Sequence, residues 1–204
     1  KAAGLKITSF IGSDNTNAGE LAANYMLGLL GDHGDVAILE GIPGEHNGIL
    51  REGAFRKTTA GKLNIVQAEA ADYERDRAMT ETEAMLRVHP TLAGIFAAND
   101  EMGLGAAQAI ANAGKSGQIK VVSIDGVKEA LQAVQSGKLS GSVSQYPYAE
   151  GEMAVQACDA LSQGKSVPAQ ITAPIKLITP KNADAALKSF PRPFFSFTDP
   201  FGAP

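Results

Sequence analysis

Cysteine, histidine and clustered positive charge are all scarce in this 204-residue chain, and each scarcity closes a class of function. Cys158 is the only cysteine, so no internal disulfide can form, and the thiol is expected as a small apolar group on a helix face. The three histidines, His33, His46 and His89, are scattered without metal-ligand spacing. No serine sits in a G-x-S-x-G elbow. The glycine-rich stretch after Leu39 lacks both G-x-G-x-x-G and a Gly-Lys-Ser/Thr ending, which argues against a nucleotide phosphate site. These gaps predict no catalytic residue, no metal and no cofactor. Lysine and arginine form no run and the formal net charge is −4, so nucleic acid and anionic membrane are not the expected partners. No apolar run approaches the ~18 residues of a membrane span. Lys1-Ala2-Ala3-Gly4 does not open a signal peptide, so an export signal is expected upstream if the protein is exported.

What is present is a globular composition, 44% hydrophobic and 20% charged, in a length suited to one or two domains. Short β-branched or apolar runs recur at residues 6–11, 35–39, 64–68, 93–97, 120–124 and 140–144. Helical patterns lie between them. Leu21, Tyr25 and Leu29 share a face of the first, and Val127, Ala130, Leu131 and Val134 fall at i, i+3, i+4 and i+7 in the fifth. Gly31, Gly61, Gly114 and Gly137 stand where those helices should stop. Strands alternating with single helices imply parallel pairing by right-handed crossovers, hence an α/β doubly wound sheet covered on both faces.

Two features disturb a one-domain reading. After Tyr146-Pro147 comes a further helix, with Met153, Ala157 and Leu161 on one face, and a strand at residues 175–179; both are candidates for a second lobe. The tail is stranger still. Phe190, Phe194, Phe195, Phe197 and Phe201 are five of the chain's eight phenylalanines, set among Pro191, Pro193 and Pro200, which forbid regular helix. Such a tail is expected to dock on something, an undocked tail being the alternative.

In open parallel sheets, ligands bind beyond the carboxyl ends of the strands. The residues just after the strands are Glu45-His46-Asn47 in the second loop, Tyr73, Asn99 and Asp100, Asp125-Gly126, and Gln145. A carboxylate accepts two vicinal hydroxyls, amides donate and accept, and an aromatic ring packs on the C–H face of a sugar, so the set suits a polyhydroxylated ligand. Each residue also has a plainer role. Asp125-Gly126 reads equally as a turn, Tyr73 as a loop aromatic and Gln145 as a strand end. Asp100 is expected to cap the following helix, leaving Asn99 as the ligand candidate.

The stretch Phe96-Ala97-Ala98-Asn99-Asp100-Glu101-Met102-Gly103, then Val121-Val122-Ser123-Ile124-Asp125-Gly126, then Gly137-Lys138-Leu139 with Ser144-Gln145-Tyr146-Pro147, resembles the ribose-binding-protein family, of the type I periplasmic-binding-protein fold. The resemblance runs from about Ile7 to Thr179. It implies a sugar or polyol ligand held by Asn99, Asp125 and Gln145, with Tyr73 as the aromatic of the C-terminal lobe. It further implies an ABC-transporter permease as partner, and a periplasmic or, in a Gram-positive host, lipid-anchored extracellular location. Two lobes joined by three crossings would close on the ligand, with Asp14, Asn15, Tyr146 and Pro147 at two crossings and the third after Thr179. On this reading residues 1–13 end a largely missing N-terminal lobe, residues 14–145 form a complete sugar-binding lobe, and residues 146–204 return to the first lobe and end in the tail. The family's sugar-binding arginine stands two residues before a second arginine. Arg51 fits the second place and Ile49 occupies the first, so His46 or Asn47 is expected to compensate, and the ligand is a pentose, hexose or polyol. The effector core of a LacI-type repressor shares the fold and is the alternative; a Rossmann-like enzyme is a third reading.

Overall fold

The computed structural model describes residues 6–201, so the first few residues of the expected N-terminal segment lie outside it. Among the described residues, eight strands and seven helices follow one another. β1 (Phe10–Ser13) and α1 (Asn15–Leu30) lead to β2 (Asp35–Glu40), α2 (His46–Thr59), β3 (Asn64–Ala70), α3 (Arg75–Val88), β4 (Leu92–Ala97) and α4 (Asp100–Asn112). Then come β5 (Lys120–Asp125), α5 (Lys128–Gln135), β6 (Gly141–Gln145), α6 (Pro147–Ser162), β7 (Gln170–Ala173), β8 (Ile175–Ile178) and α7 (Ala183–Ser189). Six strands form one sheet in the order β3-β2-β4-β5-β6-β8, parallel except for the β6–β8 pair. β1 and β7 pair in parallel as a separate two-stranded sheet.

Strand residues divide alternately between two cores, the period-2 rule of an extended chain. Val36, Ile38, Phe96, Val122 and Ile124 pack under α1 and α2; Ala37, Leu39, Ile95, Ala97 and Val121 pack under α3, α4, α5 and α7. Helices on both faces make the large sheet doubly wound, as the alternation of elements predicts. The four helix-ending glycines all have positive φ, between 70° and 77°. Ala130, Leu131 and Val134 are buried as their spacing predicts, with Val127 partly buried at the cap before α5.

Other expectations shift. Residues 6–9 form no strand, and β1 begins at Phe10. The buried face of α1 is Ala18, Ala22, Ala23 and Met26, with Leu21, Tyr25 and Leu29 at its margin. Small residues win this face because α2 lies so close: a side chain at Gly19 would overlap the Arg51 carbonyl. Leu161 is 41% exposed, so only Met153 and Ala157 of the expected face of α6 are buried.

The larger correction concerns the chain after Tyr146. β7 and α7 are additional elements, and the strand at residues 175–179 does not leave the main sheet. β8 pairs with β6 from Ser142↔Ile178 to Gln145↔Ile175, and Ala183 and Ala186 of α7 join the core beside α5. β1, α6 and β7 form a smaller body around Met153, Ile171 and Ala173. The chain therefore passes between the bodies at Asp14, at residues 145–147, and at Pro174 rather than after Thr179. Pro174 has no N–H to continue a ladder, and there the chain exchanges β1 for β6 as partner. The tail is docked on this same chain. Phe194 packs on the main core, Phe195 meets Tyr146 edge to face at 5.7 Å, and Phe201 packs on the smaller body.

Candidate functional site

Asp100 organises the carboxyl edge of the sheet. Its side chain is fully buried and accepts four hydrogen bonds: from the hydroxyls of Ser123 (2.5 Å) and Ser142 (2.7 Å), and from the backbone N–H groups of Gly126 (2.6 Å) and Val127 (2.8 Å). It thus ties β5 and β6 to the start of α5. The α4 cap is Asn99 instead, whose Oδ1 accepts from the Met102 N–H at 2.9 Å, so the expected division of roles between these neighbours is reversed as to capping. Asn99 Nδ2 reaches the Tyr73 carbonyl at 3.4 Å. Burial pushes the Asp100 pKa up to about 7; the serine hydroxyls oppose that rise and the neighbouring charge of Asp125 adds to it.

The turn that Asp100 holds is strained. Asp125 has φ 132° and Gly126 φ 77°, and a side chain at Gly126 would overlap Ser144 Oγ. The result projects the Asp125 carboxylate from the strand end, with 31% of its side chain exposed. Burial raises its pKa and the adjacent Arg51 charge works against that rise.

Arg51, buried on α2, is the hub. Its Nε donates to Asn15 Oδ1 (2.7 Å), Nη1 to the Ala98 carbonyl (2.8 Å) and to Asp125 Oδ1 (3.1 Å), and Nη2 to Gln145 Oε1 (2.9 Å). Gln145 Nε2 returns to Asn15 Oδ1 at 3.3 Å, and Asn15 Nδ2 donates to Asn47 Oδ1 at 3.2 Å. One planar, permanently charged fork with five donors can serve four partners at once. The sequence marked Arg51 only as a family position. Its spacing four residues after Asn47, on one helix face, was the available signal.

Asn47, Asn15, Asp125 and Gln145 are thereby brought together, with Asn99 one residue from the Ala98 carbonyl. Tyr73 stands beside them at φ 65°, its hydroxyl donating to Glu45 Oε2 at 2.6 Å. Glu45, which the sequence placed after β2 without a role, caps α2 by accepting the Asn47 and Gly48 N–H groups. Burial raises the Glu45 pKa, but the bonds from Tyr73, Asn47 and Gly48 outweigh it and the net direction is down. His46 is exposed at the first position of α2, and Ile49 is exposed on that helix, away from Arg51. Asp14 caps α1 by accepting the Asn17 N–H. Tyr146 and Pro147 connect β6 to α6; the Tyr146 hydroxyl is buried without a hydrogen-bond partner among the described residues.

A cavity of about 340 Å³ opens beside this edge, between Asp125, Gln145, Tyr146 and Glu150 on one side and Phe190 and Arg192 of the tail on the other. A larger cleft of about 600 Å³ lies on the outer side among α3, α4 and α5. It lies by the amino ends of β5 and β6, away from the carboxyl edge, and its one arginine, Arg75, is already paired with Glu101 and Glu129. No three His, Cys, Asp or Glu side chains cluster as a metal site among the described residues, and no described helix is long and apolar enough to cross a membrane. The convergent amides, carboxylate and guanidinium are equipped to exchange hydrogen bonds with hydroxyls, and no nucleophile and general base stand paired among them.

The chain is similar to several known proteins. The model of the periplasmic binding protein domain matches residues 2–166. The ribose import binding protein RbsB of Bacillus subtilis (strain 168) is 40% identical over 176 residues, which are 86% of this chain and 57% of that protein. The D-allose-binding periplasmic protein of Escherichia coli (strain K12) is 35% identical over 87% of this chain and 58% of its own length. The chain thus spans somewhat over half of these relatives. Among solved structures, an ABC transporter periplasmic solute binding protein from Actinobacillus succinogenes 130z with bound D-allose superposes with TM-score 0.86 and 34% identity. That match covers 90% of this chain and 66% of the other. One from Agrobacterium vitis bound with α-D-tagatopyranose gives TM-score 0.84 and 30% identity, over 93% and 66%.

Proposed function

The chain belongs to the periplasmic binding protein domain family, and from that premise we propose that it is the sugar-contacting part of a substrate-binding component serving an ABC importer. The observation that carries the reading is the polar network around Arg51, which gathers Asn15, Asp125 and Gln145 at the strand ends where a family ligand would sit. In this role Asp125 accepts vicinal hydroxyls, Asn99 and Gln145 exchange hydrogen bonds, and Tyr73 offers its ring to the C–H face. Arg51 itself supplies the guanidinium of the site, Asn47 joins it through Asn15, and His46 stands at the exposed rim. The ligand is a monosaccharide or polyol.

The six-stranded body and the smaller body of β1, α6 and β7 then move relative to each other about the crossings at Asp14–Asn15, Tyr146–Pro147 and Pro174. Further partners are the importer's membrane permease and the rest of an N-terminal lobe. The location is periplasmic, or extracellular with a lipid anchor. The relatives named above are an import binding protein, a periplasmic sugar-binding protein and ABC-transporter solute-binding proteins, which favours a non-catalytic transport component over a LacI-type repressor or a Rossmann-like enzyme.

Calorimetric titration of the full-length protein with D-ribose, D-allose, D-tagatose and D-fructose tests the reading. Binding of one of these at micromolar concentration is expected. Failure of all four even at millimolar concentration, or chemical turnover of any, would refute it.

A further inference from the structure

Beyond the three crossings, one more segment touches both bodies. From Phe190 the tail first reaches the smaller body: the Arg192 guanidinium lies over the Tyr148 ring at 4.4 Å, bonds its hydroxyl at 2.7 Å and pairs with Glu152 at 3.0 Å, both on α6. It then returns to the larger body, where Phe194 packs on the core beneath α5 and α7, and Lys176 of β8 stands over the Phe195 ring at 5.3 Å. The same Phe195 ring meets Tyr146, at the crossing itself, edge to face. Finally Phe201 packs on Met153, Ile171 and Ala173 of the smaller body. Between these anchors, Phe190 and Arg192 wall the cavity whose opposite side carries Asp125 and Gln145.

We propose that the segment from Phe190 to Phe201 is a strap across the crossings, a positioning element that holds the two bodies and the ligand-facing edge in register. Its anchorage alternates between the bodies. A tail that only covered apolar surface would need one body; this one binds α6, then β8, then the crossing, then β7. Any relative rotation of the bodies must slide Arg192 off Tyr148, lift Phe195 from Tyr146 or withdraw Phe201. The exposed Arg192–Glu152 pair contributes little alone, so the restraint resides mainly in the half-buried rings of Phe194, Phe195 and Phe201 and in Arg192 stacked on Tyr148. By limiting the arrangements open to the ligand-free protein, the strap reduces the ordering required when ligand binds. This inference rests on the two-body reading above but not on the identity of the sugar.

The test uses the full-length protein with paired spin labels on Cys158, the exposed native cysteine of α6, and on Lys57→Cys, exposed on α2. Distance distributions are compared between the parent and Phe195→Ala/Arg192→Ala, without ligand and with D-ribose or D-allose. The distribution is expected to broaden in the ligand-free variant, and affinity for whichever sugar binds the parent to fall about tenfold. Phe201→Ala, which leaves the Arg192 contacts in place, is the second variant should the first lose its fold, and broadening is expected there too. An unchanged distribution in a folded variant overturns the strap. If neither sugar binds the parent, the sugar reading is in trouble while the label distances still decide the strap.

Discussion

Replacing Asp100 by alanine is the sharpest test of how the site is built. A simple helix cap would be worth about 1 kcal/mol. Asp100 is instead the common acceptor for two hydroxyls and two backbone N–H groups in a fully buried position. The hydroxyls of Ser123 and Ser142 can rotate toward other acceptors, but the N–H groups of Gly126 and Val127 cannot, and each orphaned buried donor costs about 1–3 kcal/mol. Water entering the small gap recovers part of this, so the expected loss is about 3 kcal/mol, or a fall in melting temperature of about 6–12 °C for a chain of this size. Because those two N–H groups fix the strained turn at Asp125 (φ 132°), sugar affinity should fall with stability. Urea unfolding at pH 8 with parallel calorimetry provides both numbers. A loss of 1 kcal/mol or less, with unchanged affinity, would show that the carboxylate does not hold the turn.

Asp100→Asn should keep all four bonds, with its oxygen toward the N–H groups and its amide toward the serines, and so isolates the charge. The folded pKa of Asp100, about 7, lies above the ordinary 3.8, so the folded chain holds a proton that the unfolded chain releases. The stability this group confers is therefore present below pH about 4 and is lost as pH rises toward 7. Unfolding free energies measured from pH 5 to 8 should lose that downward slope in Asp100→Asn, and an identical slope in both proteins would be the contrary result. Asp125→Ala is expected to weaken sugar binding roughly 10- to 100-fold, since a hydrogen bond to a charged group contributes about 1.5–3 kcal/mol; unchanged affinity in a folded variant would remove Asp125 from the site. Arg51→Ala strands the Asp125 carboxylate and should cost about 3–5 kcal/mol, and Arg51→Lys should rescue little because an ammonium cannot span Asn15, Ala98 and Gln145 together. Thermal melts of the pair, and a near-complete rescue by lysine, would count against the hub. Asn99→Ala should lose about 1 kcal/mol through its cap in addition to any ligand contact, again readable from urea unfolding.

The doubly wound sheet was legible in the sequence because its signals are local. The apolar runs at 35–39 and 120–124, the helix-ending glycines and the i, i+3, i+4, i+7 set in α5 report the backbone path residue by residue. The strand-end rule likewise points to Asn99, Asp125, Gln145 and Tyr73, of which the fold brings Asp125 and Gln145 together on Arg51. What remained hidden were choices among partners. Asn99 and Asp100 are adjacent polar residues of similar shape, and only the positions of Ser123, Ser142 and the Gly126 N–H decide that the second is buried and the first caps the helix. Arg51 became the hub because α2 packs against α1 closely enough for one guanidinium to reach Asn15, Asp125 and Gln145, residues 36, 74 and 94 positions away in the chain. The short strands β7 and β8, each four residues long, carry too little periodicity to announce themselves, and their separation at Pro174 into two sheets depends on which edges, β1 and β6, lie free to receive them. Local propensity determines which elements form, whereas hydrogen-bond partners far apart in sequence are selected only when packing brings their donors and acceptors within about 3 Å.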